Sequence, residues 1–501
     1  MSALKKLAGQ TALYGVSSIL ARVFVFFLTP LHTGVLLESE MGIMAKLYAY
    51  VAFFNILYTF GMETAYFRFV SRDDMDPDRV YRTTGSVILI ISTLATTVIL
   101  FNAGNIANWL DTPENRHLII WLGIILLFDA MVAIPFASLR QQNRPLKFAL
   151  IRTISIAVMV ALNLVPLYLI PKMLEWGWVE KQGLVAYVID YDHKLDFVFL
   201  ANLVGSVLVL FLLYKEVLRF RFTLPKNLLK SLLPYAFPIF LMGIAGIAND
   251  QLDKILLEKL LPDDFMPGFT SREVLGIYYA AFKLSVLMVL ATQAFRFAGE
   301  PFFFNSAKDK NSPQLFAKVL HYFFLTSLVL FIGVSLNREL LGSFFLQGDA
   351  FRIGLNVVPL LLFAKLFYGV YINLSIWFKL SDRTHFGTWL SILGAGVTVL
   401  GNFLLIPVIG YYGSAVAAIL CFVSMCVVCY YLGQKYYPIP YRWGPLFWHL
   451  LVATALAAFE FFFSLNNQLY DYTLSILLTI AYIFGLYLVE RKNLRKAGAA
   501  I

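Results

Sequence analysis

The sequence predicts an all-α polytopic membrane protein with about fourteen membrane-spanning helices, and three observations carry that expectation. Of the 501 residues, 60% are hydrophobic and 14% charged, against roughly 45–50% and 25% in an ordinary globular protein. Apolar runs long enough to cross about 30 Å of hydrocarbon recur from Tyr14 to Tyr487. Lys and Arg fall mainly in alternate loops between those runs, the asymmetry that membrane insertion produces.

Each span is an apolar run bounded by charges or helix breakers. The first, at about 9–33, follows Lys5 and Lys6. Its start looks like a signal peptide, but the apolar stretch continues past Phe27 to about Val35 without a small-residue cleavage site, so it reads as a retained span. The second and third, at about 43–67 and 83–103, flank a loop rich in Arg and Asp. The fourth to sixth lie at about 117–138, 148–170 and 195–214. Six more follow at about 231–251, 274–297, 316–336, 353–377, 385–406 and 411–432, and two end the chain at about 445–464 and 472–489.

One set of loops holds 27 of the 40 basic residues, including Arg68, Arg72, Arg79 and Arg82, the cluster from Lys215 to Lys230, and Arg491 to Lys496. Roughly ten lie in the alternate set. Both termini are therefore expected in the cytoplasm, with an even number of spans.

The net charge of +10 does not point to nucleic acid, because no segment has enough polar length to present a phosphate-binding face. Cys421, Cys426 and Cys429 lie in one apolar run with no second pair or nearby His, so they read as packing residues rather than a metal or redox pair. Six scattered histidines show no metal-ligand spacing, and no Gly-rich phosphate loop is followed by Lys. No metal, cofactor or direct use of ATP is expected. The longest outward loop, 171–194, is too short for a catalytic domain of the usual size, which argues against an enzyme.

The second span opens Met41-Gly42-Ile43 and ends Ala65-Tyr66-Phe67-Arg68-Phe69. The eighth opens Leu275-Gly276-Ile277 and contains Ala294-Phe295-Arg296-Phe297. This echo pairs spans one to six with seven to twelve. It divides the chain into a bundle at 1–222, a second at 223–436, and two further spans with a basic tail at 437–501.

Three stretches carry a family resemblance: Thr29-Pro30-Leu31 through Gly42-Ile43 to Gly61-Met62-Glu63-Thr64-Ala65-Tyr66-Phe67-Arg68-Phe69; Gly276-Ile277-Tyr278 to Gln293-Ala294-Phe295-Arg296-Phe297-Ala298-Gly299-Glu300-Pro301; and Gly401-Asn402-Phe403-Leu404-Leu405-Ile406-Pro407 with Gly410-Tyr411-Tyr412-Gly413-Ser414-Ala415. Together they resemble the polysaccharide (O-antigen-unit) flippases of the multidrug/oligosaccharidyl-lipid/polysaccharide exporter superfamily. The resemblance implies two six-helix bundles plus two C-terminal helices. In the third stretch the residues themselves read structurally, with Ile406-Pro407 ending a helix and Gly410 and Gly413 allowing a tight turn.

An ionised side chain near mid-membrane costs about 2.5–3.5 kcal/mol on insertion scales, so each needs a partner, water or a role. Arg22 sits in the first span on a stripe with Thr11, Gly15, Ser18 and Thr29, and the second span gives Asn55, Thr59, Glu63 and Tyr66 at helical spacing. The seventh gives Gly243, Gly246, Asp250 and Asp253. Lys283 lies mid-way along the eighth, and Lys365 lies on the tenth beside Tyr368, Gly369 and Asn373. Arg22, Lys283 and Lys365 read either as partners of Glu63, Asp250 or Asp129, or as a cationic site for an anionic substrate. The resemblance favours the second reading, because it places their spans around a central cavity. Arg296 belongs to the same cationic set at the exit of the eighth span, where it also suits pairing with Glu300 at i,i+4. Glu63 and Asp250 are candidates for proton or sodium coupling. Glu460 has no partner evident in sequence, and it reads as a snorkelling surface residue or part of a lipid-facing groove.

The resemblance implies alternating-access movement of an undecaprenyl-diphosphate-linked oligosaccharide from the cytoplasmic to the periplasmic leaflet, for O-antigen and lipopolysaccharide assembly. The expected partners are that substrate, membrane lipids and other polysaccharide-assembly proteins. A cation-coupled multidrug exporter and a peptidoglycan-precursor flippase of the same superfamily are the alternatives. The drug exporter is disfavoured by the extra pair of spans and by the three bases.

Overall fold

The computed structural model describes residues 19–20, 22–72, 75–262, 265–306, 311–381, 383–462 and 467–498. Among these residues no strand occurs, and thirteen helices are long and apolar enough to cross a membrane. A shorter apolar helix, α1, precedes them at Arg22–Val35. The remainder of the expected first span, with Thr11, Gly15 and Ser18, lies outside the described residues. The long helices are α2 Glu38–Val70, α3 Pro77–Phe101, α4 Pro113–Gln141, α5 Pro145–Glu175, α6 Leu195–Leu212 and α7 Lys226–Leu260. They continue as α8 Ser271–Phe297, α9 Ser312–Ser335, α10 Asp349–Leu380, α11 His385–Ile409, α12 Tyr411–Tyr436, α13 Trp443–Phe461 and α14 Gln468–Arg491. The chain is therefore a multi-pass membrane protein, with a long apolar helix at each expected span from the second to the fourteenth.

Local chemistry sets the helix ends. Asp76 accepts a hydrogen bond from the Asp78 N–H at 3.0 Å and Pro77 opens α3, so a backbone donor is capped and a position without a bonding N–H is filled by proline. Large apolar side chains such as Leu94, Phe101, Leu404 and Val408 point outward. That would be unfavourable in water and is the normal lipid-facing surface of a span.

The chain forms two compact units, Met1–Lys259 and Leu260–Ile501. In the first, α3 packs on α4, α6 packs on α5 and α4, and α2 lies against α3 and α4. α7 stays with this unit because it is built against α2. The Phe60 and Phe240 rings stack at 4.8 Å, a Cβ at Gly243 would meet Ile56 at 2.9 Å, and one at Gly61 would meet the Ala236 carbonyl at 2.9 Å. The compact units thus divide at 259/260, one span later than the repeat at 222/223 suggests.

α2 is not one continuous helix. Phe60 and Gly61 take φ of 46° and 69°, so the chain turns between the pieces Glu38–Thr59 and Met62–Val70. The expected stripe of Asn55, Thr59, Glu63 and Tyr66 is therefore interrupted: Asn55 is exposed, Tyr66 is buried, and Glu63 lies in the first turn of the second piece.

In the second unit α12 packs on α11 and α10, and α10 also meets α8 and α9. α13 and α14 both contact α9 and each other, so the last two spans are part of this unit. The three cysteines are free and buried in α12; the Cys429 carbonyl accepts the Trp377 indole N–H at 3.1 Å, and the Cys426 thiol donates to the Phe367 carbonyl at 3.2 Å. Buried in this way, they fill space as small apolar side chains do.

The helix end expected at Ile406-Pro407 needs correction, since α11 continues through Pro407 to Ile409. Gly410 then turns the chain with φ 59°, and its N–H closes the last turn on the Ile406 carbonyl at 2.8 Å. The tight turn itself is present. A Cβ at Gly413 would lie 2.5 Å from the Leu405 backbone, a contact that only backbone movement can relieve. Gly413→Ala is expected to cost about 1–3 kcal/mol through overpacking. A lowered melting temperature in detergent, with Ala415→Gly as a milder comparison, is the check.

Candidate functional site

The interior of the second unit holds Lys365, whose residue is 4% exposed. Its ammonium lies 5.3 Å from the Phe282 ring of α8 and 5.6 Å from the Phe422 ring of α12. Tyr368, one turn further along α10, meets Phe422 edge-on at 5.3 Å. Gly369 is needed beside it, because a Cβ there would meet Phe323 at 2.6 Å. Asn373 is buried on the same side, with its amide donating to the Gly369 carbonyl at 3.1 Å. Aromatic faces stabilise a desolvated cation by about 2 kcal/mol or more each. Even so, a buried ammonium retains strong attraction for an anion that reaches it.

Lys283 lies on α8 next to Phe282 and is half-buried. Its ammonium donates to the Tyr279 hydroxyl at 2.8 Å and lies over that ring at 4.3 Å. α8 thus supplies one ring to Lys365 and a second base at the following residue. Arg296, further along the same helix, sits over the Phe297 ring at 5.8 Å, while the Glu300 side chain expected to pair with it lies outside the described ones. Arg22 belongs to the first unit, where it is exposed at the start of α1.

The acids have partners other than the three bases. Glu63 forms an ion pair with Arg140 of α4, and Arg140 also lies over the Phe67 ring at 5.0 Å. The Asp129 carboxylate accepts from the Ser206 hydroxyl at 2.7 Å. Asp250 accepts from the Gln251 amide at 2.6 Å and, through its carbonyl, from the Lys254 ammonium at 3.1 Å.

Several charges escaped the sequence reading. Lys254 is 1% exposed and its ammonium is 3.1 Å from the Asp253 carboxylate. Lys46 of α2 pairs with Glu258 of α7 at 2.7 Å. Asp250, Lys254 and Glu258 recur every four residues, so one face of the last turns of α7 carries alternating charge, and Glu258 on it meets Lys46 of α2. In the second unit Arg338 pairs with Glu460 of α13, which gives Glu460 the partner that its sequence neighbourhood lacks. The signal for Lys46, Lys254 and Arg338 was present as bases near the ends of apolar runs. Their acids lie on other helices or in the same turn, and spacing alone does not select them.

Outside the spans, Tyr191 donates to the Asp196 carboxylate, and this bond together with burial holds its phenol well above the usual tyrosine range. His117 bonds the other oxygen of Asp196 at 2.8 Å, tying the loop before α6 to the start of α4. Among the described residues no group of His, Cys, Asp and Glu is arranged to hold a metal ion.

A family model described as polysaccharide biosynthesis protein matches residues 7–305. A search of curated proteins finds no match. Among solved structures, the chain is similar to a lipid II flippase MurJ in an inward closed conformation, with TM-score 0.73, 13% identity, and coverage of 96% of this chain and 99% of that one. It is also similar to an inward-facing multidrug resistance MATE family transporter of the MOP superfamily, with TM-score 0.62, 13% identity, and coverage of 85% and 94%. A MOP superfamily transporter from Pyrococcus furiosus, described as having a binding pocket of reverse polarity, aligns with TM-score 0.55, 13% identity, and coverage of 87% and 98%. At such identities the structures establish the fold, whereas the family model spans more than half of the 501 residues. The chain therefore belongs to the polysaccharide biosynthesis protein family and has the fold of MOP-superfamily flippases and transporters.

Proposed function

We propose that the protein moves an undecaprenyl-diphosphate-linked oligosaccharide from the cytoplasmic to the periplasmic leaflet of a bacterial inner membrane, for O-antigen and lipopolysaccharide assembly. The family match carries this reading, since it ties the chain to polysaccharide biosynthesis rather than to drug export. Coverage adds support. The MurJ structure aligns over 96% of the chain and the MATE structure named above over 85%, a difference of the order of the two extra C-terminal spans.

In this mechanism Arg22, Lys283, Lys365 and Arg296 attract the diphosphate while the polyprenyl tail stays in lipid. The bundles alternate access around the headgroup. Arginine and lysine suit the task because they hold phosphate oxygens by charge-assisted hydrogen bonds. Turnover draws on an ion gradient, the membrane potential or the substrate gradient, with Glu63 and Asp250 as the acids to test for proton or sodium coupling. One charge crossing 100 mV contributes about 2.3 kcal/mol.

Deleting the gene is expected to leave a lipid-diphosphate-linked surface-polysaccharide repeat unit accumulating on the cytoplasmic leaflet, identified by mass spectrometry of extracted lipids. Accumulation of a peptidoglycan precursor instead would shift the assignment to the peptidoglycan flippases. An unchanged lipid profile with new drug sensitivity would shift it to drug export.

A further inference from the structure

A cavity of about 270 Å³ in the second unit lies apart from the cationic set. It sits where α13 ends and α14 begins, against the short helix Arg338–Phe345 that follows α9. Glu339, Glu460 and Asp471 line it together with Gln468, Tyr472 and Ser475, and among the described residues that line it none is basic. Ser475 is 6% exposed, and its hydroxyl has no hydrogen-bond partner among the described residues. Glu339 is exposed and makes no ion pair or hydrogen bond with a described residue.

We infer that this cavity binds a primary ammonium group, carried either by a free aliphatic amine or by the headgroup of an aminophospholipid. A primary ammonium has three N–H donors and no acceptor. The cavity offers the reverse, with carboxylates from three places in the chain and the buried Ser475 hydroxyl, whose oxygen also accepts. Arg338 answers the charge of Glu460, and no base among the described lining residues stands against Glu339. A carboxylate has about four lone-pair sites, so Asp471 and Glu460 can keep their present partners and still accept a further N–H. Bonds of this kind, with donor and acceptor both charged, are the stronger ones.

Acids in the first turn of a helix ordinarily complement its dipole, and Glu339 and Asp471 occupy such positions. Two other features have no such cause. Glu460 lies in the last turn of α13, where the dipole disfavours an acid. Ser475 lies two turns into α14 with its hydroxyl unbonded. Its neighbours show the usual alternative for a hydroxyl on a helix. Thr473 and Thr479 return theirs to the carbonyls of Leu469 and Ser475, at 2.8 Å each, whereas Ser475 between them turns to the cavity.

The lining also narrows the class of cation. The described acids are not arranged to hold a metal ion. A quaternary ammonium brings no N–H and is held by a cage of aromatic rings, whereas Tyr472 is the one ring among the described lining residues, and its hydroxyl accepts from the Gln468 amide at 2.7 Å. The volume lies just below the roughly 300–1,000 Å³ usual for small-molecule pockets, which suits an ethanolamine headgroup or a diamine of a few carbons rather than a sugar chain. Leu469, Tyr470 and Ile476, next in the chain to cavity residues, are exposed on α14, so the tails of an aminophospholipid would have apolar surface to lie on.

Native mass spectrometry of the full chain released from detergent counts bound molecules directly. Phosphatidylethanolamine, phosphatidylcholine and 1,5-diaminopentane, titrated separately, are the probes. At least one of the two primary amines is expected to bind about tenfold more tightly than phosphatidylcholine, the preference that one hydrogen bond to a charged group confers. Preference for phosphatidylethanolamine alone identifies the lipid headgroup as the source, and preference for the diamine identifies a free amine. Glu339→Gln and Ser475→Ala should each weaken the preferred amine about tenfold and leave phosphatidylcholine unchanged. Both changes are small and break no bond between described residues, and if one variant does not fold the other carries the comparison. Equal binding of all three probes, or variants that bind the amine as the parent chain does, would overturn the assignment. The readout involves no transport, so its outcome is independent of whether the substrate is the one proposed above.

Discussion

Lys365→Met is expected to lower delivery of lipid-linked sugar by about ten- to a hundredfold at unchanged membrane levels of protein. The range follows from the roughly 1.5–3 kcal/mol that a hydrogen bond to a charged group contributes and the factor of ten that goes with each 1.4 kcal/mol. Methionine is chosen because it fills nearly the same space between Phe282 and Phe422 without the charge. A purely architectural lysine at this place predicts the opposite pattern. Its removal at constant volume would leave transport per folded molecule intact and alter only folded yield or melting temperature. Lys365→Arg should retain part of the activity, since it keeps the charge but must fit a planar group between two rings. Arg22→Gln and Lys283→Gln belong to the same experiment. Normal export by all three neutral variants would eliminate the cationic site.

Breaking the Arg338 and Glu460 pair from one side should give the largest loss of stability. Arg338→Met leaves the Glu460 carboxylate, 14% exposed, without its counter-charge. Glu460 also lines a pocket of about 270 Å³ with Glu339 and Asp471, so the remaining acids face one another. Removing one member of a buried pair typically costs about 3–5 kcal/mol. The expected result is a clear drop in melting temperature and in folded yield after detergent extraction. Arg338→Met with Glu460→Gln should restore most of the loss, because no uncompensated charge of the pair then remains. If the double variant is no more stable than the single one, packing of the arginine stem accounts for the effect rather than charge.

The sequence was most informative where a single helix decides the outcome. Apolar length alone placed the long helices from α2 to α14, since a span must satisfy its backbone internally and be apolar for about 20 residues. The burial of the three cysteines was legible from their place in one apolar run. The turn at Gly410 and Gly413 was legible because only glycine tolerates a positive φ and so close a backbone approach without strain. The break in α2 was not legible, although Gly61 was in view. Phe60 is the residue that enters the left-handed region with it, and its ring stacks on Phe240 of α7, a helix far away in sequence.

Charge partners were the least legible. Lys365, Lys283 and Asp250 stood out because each interrupts an apolar run. Nothing in the sequence says that Glu63 meets Arg140, that Lys46 meets Glu258, or that Glu460 meets Arg338. His321, His449 and Glu490 are spread over 170 residues and become one cluster only when α9, α13 and α14 pack together.

By itself, then, the sequence determined that the chain spans a membrane many times, where nearly every span lies, and which residues carry charge into apolar surroundings. These are properties of one helix and its solvent. Tertiary structure alone decided which charges neutralise one another, that α7 packs with the first unit, and that the C-terminal pair docks on α9. The reason is physical. Hydrophobic burial is non-directional and is recorded in composition, whereas an ion pair depends on two side chains arriving within about 4 Å from helices whose order in space is not written in their order along the chain.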